Sequence, residues 1–389
     1  MYRIRTYNSI SSKGLDRFDA SVYALSADME DPHAWILRSQ KLHDQPVPES
    51  LLAVARAGAG YNNIPVEELT RKGVVVFNTP GANANAVKEI VAAGLILGSR
   101  AIYSGITYVQ TLRDMEDPTE LSRKLEHEKK RFAGTEISGK TLGVLGLGAI
   151  GSMVANMALD MGMRVVGFDP ALSVDAAWRL SSRVEKVESL QALMGEVDYL
   201  SLHVPANTHT RNLIDAAALS MLKPGARLLN FAREEIVDID AVVAALDSGR
   251  LSRYITDFPR PEIFGRTDTL LLPHIGASTR EAEENCAVMA ADQLMDFLAD
   301  GNIVNSVNFP NTRMSRNGGF RITICNENIP RVLGTVLTVL ADRNINVIDM
   351  VNRSRGEIAY NIIDIETQPG AGAMKEIRKA KGVICVRLV

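Results

Sequence analysis

Leu142-Gly143-Val144-Leu145-Gly146-Leu147-Gly148-Ala149-Ile150-Gly151 is an apolar run that opens into a glycine triplet. Leu142–Leu145 has the length and apolarity of a buried strand, and Gly151–Met161 continues as a helix. A glycine triplet alone is a weak sign, but one set between a strand and a helix is a dinucleotide signature. Gly146 allows the tight turn, Gly148 lets backbone approach a pyrophosphate, and Gly151 lets the helix pack close. The helix N-terminus offers N–H groups and positive potential to phosphates, with Ala149 and Ile150 in its first turn. Asp169 ends the next apolar run, eighteen residues beyond Gly151. A carboxylate there accepts hydrogen bonds from ribose hydroxyls and repels a 2′-phosphate, which favours NAD over NADP. The plain alternative for Asp169 is a surface turn ahead of Pro170.

Outward from this motif the same pattern repeats. Val74–Phe77, Val165–Phe168, Tyr199–Val204, Arg227–Phe231 and Leu270–Leu272 read as buried parallel strands. Helical patterns lie between them, such as Ala216–Leu222, stopped by Lys223-Pro224-Gly225. Strand and helix in alternation predict an α/β fold with a parallel sheet wound on both faces. At 389 residues the chain exceeds one ordinary core, so two or three domains are expected. Boundaries fall near residues 97 and 271, a long helical run covers Arg280–Leu298, and polar residues 306–319 read as a linker.

Apolar residues make up 46%, charged residues 23%, and the net charge is −3. That balance describes an ordinary globular protein and gives no reason to expect nucleic acid or a membrane as partner. Cys286, Cys325 and Cys385 are far apart in sequence and share no metal-ligand spacing. They point to no disulfide framework, no metal, and a reducing cytoplasmic setting. The N-terminus lacks an apolar signal-peptide core. The mixed-sign run Arg123–Arg131 reads as a solvated helix face; the alternative is a basic residue that reaches a substrate phosphate.

Ligands of open α/β sheets bind beyond the carboxyl ends of the strands. His203 and His274 both follow strands, and so do Arg233 and Asp257, with Glu262 five positions later. Hydride removal from an alcohol needs a base near neutral pKa, a carboxylate to orient it, and a guanidinium for the substrate's own carboxylate. His274, Glu262 and Arg233 supply one of each. Any one of them alone is as readily a structural or surface residue.

These segments resemble the D-isomer-specific 2-hydroxyacid dehydrogenase family. The likeness runs in order through Arg56–Ile64, Asn78-Thr79-Pro80-Gly81, the glycine motif, His203-Val204-Pro205, Asn230–Arg233, Asp257 with Glu262, and Pro273–Thr279, over roughly the first 305 residues. It implies a Rossmann-type nucleotide domain (98–271) inserted in a flavodoxin-like substrate domain (1–97 and 272–305). It implies that Arg233 orients substrate, that His274 carries the proton with Glu262 as its partner, and that Asp257 contacts the nicotinamide carboxamide. His203, Val204, Pro205, Phe231, Ala232, Ile275, Gly276 and Ala277 would line NAD. Ala59, Gly60 and Asn83 are further substrate candidates. Dimers through the nucleotide domains are usual in the family. One departure is Glu234, where the family usually has glycine after the arginine.

From Phe320 the pattern becomes βαββαβ, a ferredoxin-like module, 320–389. Pro330–Arg343 is amphipathic, with Val332, Leu333, Val336, Leu337 and Leu340 on one face. The module resembles an ACT domain through Asn326–Pro330, Val332-Leu333 and Ile345-Asn346-Val347. That likeness makes Asn328 and Asn346 candidates to hold an L-serine effector between two subunits of a homodimer or homotetramer. The usual glycine after the proline is Arg331 here. The two likenesses together imply D-3-phosphoglycerate as substrate, with Arg38, Ser39 and Lys41 as phosphate candidates. Glycerate or another D-2-hydroxyacid is the alternative substrate, and an NAD(H)-sensing regulatory protein the alternative of another class.

Overall fold

The computed structural model describes residues Met1–Val389, apart from the side chain of Asp175. The chain divides into two compact units, Ala84–Ser278 and a second made of Met1–Asn83 with Thr279–Val389.

The first unit is built on a seven-stranded sheet. Its strands are β6 (Thr141–Leu145), β7 (Arg164–Phe168), β8 (Glu185–Lys186), β9 (Tyr199–Leu202), β10 (Ala226–Asn230), β11 (Leu251–Thr256) and β12 (Thr269–Leu271). Their order is β12-β11-β10-β9-β6-β7-β8, and every pairing is parallel. The order reverses between β6 and β9, which makes their carboxyl ends the switch point where such sheets bind ligands. The central strands β6 and β9 are buried along their whole length, whereas the edge strand β8 is exposed. Helix Ala84–Ser99 packs against helix Ala149–Asp160 and strands β10 and β11 of this sheet. The approach is close, because a Cβ on Gly94 would lie 3.1 Å from Leu229 and Phe231. The boundary expected near residue 97 therefore falls at 83/84, and the far end of the unit lies at 278 in place of 271.

The second unit holds two sheets. Strands β1 (Tyr2–Thr6), β2 (Tyr23–Ser26), β3 (Ala34–Leu37), β4 (Ala53–Arg56) and β5 (Val75–Phe77) form a parallel sheet in the order β2-β1-β3-β4-β5. This is the flavodoxin-like order. Helix Arg280–Asp300 covers it, capped by Thr279 at its start and by Gly301 (φ 70°) at its end. Strands β13 (Phe320–Glu327), β14 (Val347–Arg355), β15 (Ile358–Ile365) and β16 (Val383–Leu388) form an antiparallel sheet in the order β14-β15-β13-β16. Helices Val332–Ala341 and Ala371–Lys379 cover one of its faces through Ile322, Ile324, Val336, Leu340, Ile363 and Ile377.

The other face of that sheet is not solvated. Cys325, Tyr360 and Ile362 enter the same apolar core as Phe77, Phe297 and Phe309. Tyr360 donates its hydroxyl hydrogen to the Gly301 carbonyl (2.7 Å), and Arg387 lies over the Phe297 ring. Nor are residues 306–319 the free linker expected from their polarity. Asn308 is buried; its amide donates to the Val74 carbonyl and its oxygen accepts from Val76 N–H, both at 2.9 Å. Polar side chains that replace strand partners in this way look like loop residues in sequence. Among the described residues, no single helix is long and apolar enough to cross a membrane.

Candidate active site

Each motif of the first unit follows a strand at the carboxyl edge of its parallel sheet. The glycine loop follows β6, Asp169 follows β7, His203 follows β9, Arg233 follows β10, Asp257 follows β11 and His274 follows β12.

Gly146 has φ 89°, a region that L side chains rarely adopt, and a Cβ there would also strike the His203 carbonyl at 2.7 Å. A Cβ on Gly151 would lie 1.9 Å from the Gly146 carbonyl oxygen, whereas at Gly148 it would meet nothing within 4 Å. The loop is closed behind its first and third glycines and open in front of its second. No side chain caps helix Ala149–Asp160, so its first N–H groups remain for an anion. Asp169 accepts from Leu147 N–H (2.8 Å) and Ala171 N–H (2.9 Å), which fixes its carboxylate against the glycine loop. The Gly151→Ala variant is expected to bind NADH at least ~10-fold more weakly, as measured by fluorescence titration, because the loop must open to admit the methyl group.

Asn230 is fully buried and shapes the turn that carries Arg233. Its oxygen accepts from Ala232 N–H (3.1 Å) and its amide donates to the Arg233 carbonyl (2.9 Å). The Arg233 guanidinium donates to the Ala232 carbonyl (2.6 Å). Asp257 is also buried. Its Oδ2 accepts from Gly276 N–H (2.8 Å), and its carbonyl accepts from His274 N–H (2.9 Å). Burial raises its pKa, opposed by the Gly276 bond and by the charges of His274 and Arg233. Its Oδ1 is buried without any partner. An orphaned carboxylate oxygen at the carboxyl edge of the sheet fits an amide N–H donor, as the carboxamide of a nicotinamide supplies.

His274 sits at φ 51°, a strained angle for a residue with a side chain, and its ring lies 4.9 Å from that of Phe258. The expected Glu262–His274 pair is not formed here. Glu262 is held by Arg260 at 3.3 Å, and among the described residues no hydrogen bond joins it to the imidazole. Arg260 takes the carboxylate that the sequence pattern assigns to His274. His203 is the other strand-end histidine. Burial pushes its pKa down to about 3, and it shares a hydrogen bond with Ser201 (2.8 Å). Its backbone carbonyl backs Gly146. Val204, Pro205, Phe231 and Ala232 lie on the same sheet edge, and Ile275, Gly276 and Ala277 follow His274. Glu234 has no positive φ among the described residues, so a glycine there is not demanded by the backbone.

In the second unit Arg38, Ser39 and Lys41 follow β3, and Ala59 and Gly60 follow β4. Arg38 pairs with Glu283 at 2.7 Å, and its carbonyl accepts from Arg56 Nε–H (3.0 Å). Both partners of the pair are over two-fifths exposed, a setting in which such bonds exchange readily. Ser39 N–H donates to Asn8, and the Ala59 carbonyl accepts from Asn78. Asn83 Oδ1 is a second buried oxygen without a partner.

Asn328 follows β13, and its amide donates to the Gly356 carbonyl; Asn346 precedes β14 and bonds Glu366. Strand register sets Val347 opposite Ile365 and Phe320, whereas Glu327 pairs with Ile358. Asn328 and Asn346 thus lie at opposite ends of an eight-residue strand, roughly 20 Å or more apart. One copy cannot bring both to one small effector. Arg331 keeps φ 78° despite its side chain. Arg331→Gly is therefore expected to stabilise the protein by about 0.5–1 kcal/mol, read from chemical denaturation midpoints.

Comparison with known proteins agrees with this geometry. The D-isomer-specific 2-hydroxyacid dehydrogenase NAD-binding domain matches residues 106–276, and the ACT domain matches residues 320–382. The D-3-phosphoglycerate dehydrogenase of Escherichia coli K12 is 29% identical over 381 residues, spanning 94% of this chain and 88% of its own. A Schizosaccharomyces pombe relative is 32% identical over 352 residues, spanning 83% of this chain and 70% of its own. Among solved structures, NAD+-bound 3-phosphoglycerate dehydrogenase from Entamoeba histolytica matches with TM-score 0.62 at 25% identity, over 79% of this chain and 98% of its own. A glyoxylate reductase from Paecilomyes thermophila shares the fold, with TM-score 0.66 at 23% identity over 79% of this chain and 98% of its own. With its glycine loop, its strand-end Arg233, Asp257 and His274, and its C-terminal ACT domain, this chain belongs to the D-isomer-specific 2-hydroxyacid dehydrogenase family.

Proposed function

We propose that the protein oxidises D-3-phosphoglycerate to 3-phosphohydroxypyruvate with NAD, the first step of L-serine formation. The observation that carries the substrate assignment is the extent of the likeness to the Escherichia coli enzyme, which spans 94% of this chain.

When bound, NAD supplies the ring that accepts the hydride. Arg233 holds the substrate carboxylate as a planar, always-charged donor. His274 takes the hydroxyl proton as the C2 hydride departs. Glu262 leaves Arg260 and turns to the imidazole, where its charge stabilises the protonated ring. Asp257 Oδ1 would accept from the carboxamide and so hold that end of the cofactor. Arg38, with Ser39 and Lys41, exchanges Glu283 for the substrate phosphate. Ala59, Gly60 and Asn83 are further candidates for substrate contact.

A second substrate, an unphosphorylated D-2-hydroxyacid such as glycerate, is favoured by Glu234 beside Arg233 and by Glu283 on Arg38. Both carboxylates repel an anion. The test is NADH formation with D-3-phosphoglycerate and with D-glycerate, the keto product being removed. Turnover that needs the phosphate and weakens in Arg38→Ala supports the first reading; equal or better turnover of D-glycerate replaces it with the second.

We further propose a homo-oligomer in the cytoplasm. Tyr103, Ile106 and Val109 are 63%, 57% and 48% exposed along one face of helix Ile102–Gln110, an apolar stripe suited to a second copy. Ile106→Glu is expected to shift the protein to monomer in light scattering. An L-serine effector would then bridge Asn328 of one copy and Asn346 of another, since a single copy holds them apart.

A further inference from the structure

Cys325 and Cys385, sixty positions apart in sequence, are direct register partners on antiparallel strands β13 and β16. Val389 N–H donates to the Arg321 carbonyl, so Arg321 and Val389 are a hydrogen-bonded pair, and every second pair along the ladder is of the same kind. Cys325–Cys385 is one of these. Cα atoms in such pairs are about 5.5 Å apart, within the range that a disulfide bridges. Both thiols are free, Cys325 buried and Cys385 partly exposed. Both point to the sheet face that rests on the first five-stranded sheet and its helix. Across from Cys385 stands Gly73, where a Cβ would come within 3.1 Å of the sulfur; the glycine leaves that space open.

We propose that Cys325 and Cys385 are a reactive dithiol that small hydroperoxides convert to a cross-strand disulfide. The Cys385 thiol lies 4.0 Å from the Gly73 carbonyl, its long-range acceptor, and it is the more exposed of the two. Interaction between the two sulfurs, with burial, raises the Cys325 pKa; the same interaction lowers that of Cys385, helped by the charges of Arg387 and Arg378. Cys385 is the nucleophile and Cys325 the resolving thiol. The Cys385 thiolate attacks the peroxide: an S–O bond forms, the O–O bond breaks, and alcohol or water leaves, giving a sulfenic acid. Cys325 sulfur then attacks Cys385 sulfur: the S–S bond forms, the S–O bond breaks, and the oxygen departs as water with the Cys325 proton. Two thiols lose two electrons to one hydroperoxide. Cys286 takes no part, since it is buried, with its pKa raised by burial.

The test treats the full-length protein with hydrogen peroxide, blocks remaining thiols by alkylation under denaturing conditions, and maps the peptides by mass spectrometry. The expected result is one intrachain linked peptide pair holding Cys325 and Cys385, reversed by dithiothreitol, with Cys286 alkylated. In Cys325→Ser, dimedone is expected to capture a sulfenic acid on Cys385. Full alkylation of Cys325 and Cys385 in the treated wild type, or a linkage that uses Cys286 or a second chain, would overturn the proposal. The wild-type map decides even where the serine variant fails to fold.

Discussion

His274→Asn is expected to lower kcat for the oxidation by roughly 10²–10⁴-fold, the range of a lost proton carrier, with NADH affinity nearly unchanged. Asparagine is the informative replacement because residue 274 has φ 51°. Asparagine adopts that region with little cost, whereas alanine does not. The N–H of residue 274 then still donates to the Asp257 carbonyl, and Gly276 N–H still reaches Oδ2 of the same aspartate. The cofactor side of the site is preserved and only the base is removed. Steady-state kinetics alongside NADH titration separate the two effects. A loss below about threefold in kcat would exclude His274 as the proton carrier.

Arg321→Met is expected to destabilise the protein by about 3–5 kcal/mol, the usual cost of stranding one partner of a buried pair. The Arg321 side chain is wholly buried and the Asp364 side chain 1% exposed. The guanidinium donates to Asp364 Oδ1 (2.7 Å) and Oδ2 (2.8 Å) and to the carbonyls of Asp300, Met314 and Ser315. One side chain thus ties the ACT sheet to the end of helix Arg280–Asp300 and to the segment between them. Without it Asp364 is a buried, unpaired charge and three carbonyls lose a donor. Adding Asp364→Leu is expected to recover part of the loss, because the charge goes while the carbonyls stay unpaired. Urea denaturation of the intact chain measures both. An Arg321→Met protein as stable as the wild type would mean that the cluster holds nothing together.

Much of this was legible in the sequence where local rules and tertiary structure coincide. The glycine loop needs a strand behind it and a helix ahead, and both are written in adjacent residues. Arg233, Asp257 and His274 could be placed because an apolar run followed by a polar residue marks a strand's carboxyl end. Relations across the chain were hidden. Glu262 and His274 lie twelve positions apart, and sequence does not show that they fail to meet. In β13, Arg321, Thr323 and Cys325 alternate with isoleucines, yet both faces are buried. Asn308 looks like a linker residue because its role is to bond the backbone of β5 and its neighbour Val74. Cys325 and Cys385 looked unrelated until the sheet set them opposite each other.

The central claim is that this chain moves the C2 hydride of D-3-phosphoglycerate directly to NAD. The most direct measurement incubates the enzyme with NAD and D-3-phosphoglycerate deuterated at C2, then weighs the reduced cofactor by mass spectrometry. The account predicts one deuterium in every NADH formed and 3-phosphohydroxypyruvate in equal amount. Reduced cofactor without deuterium, or no reduction while an unphosphorylated D-2-hydroxyacid is oxidised, would contradict it.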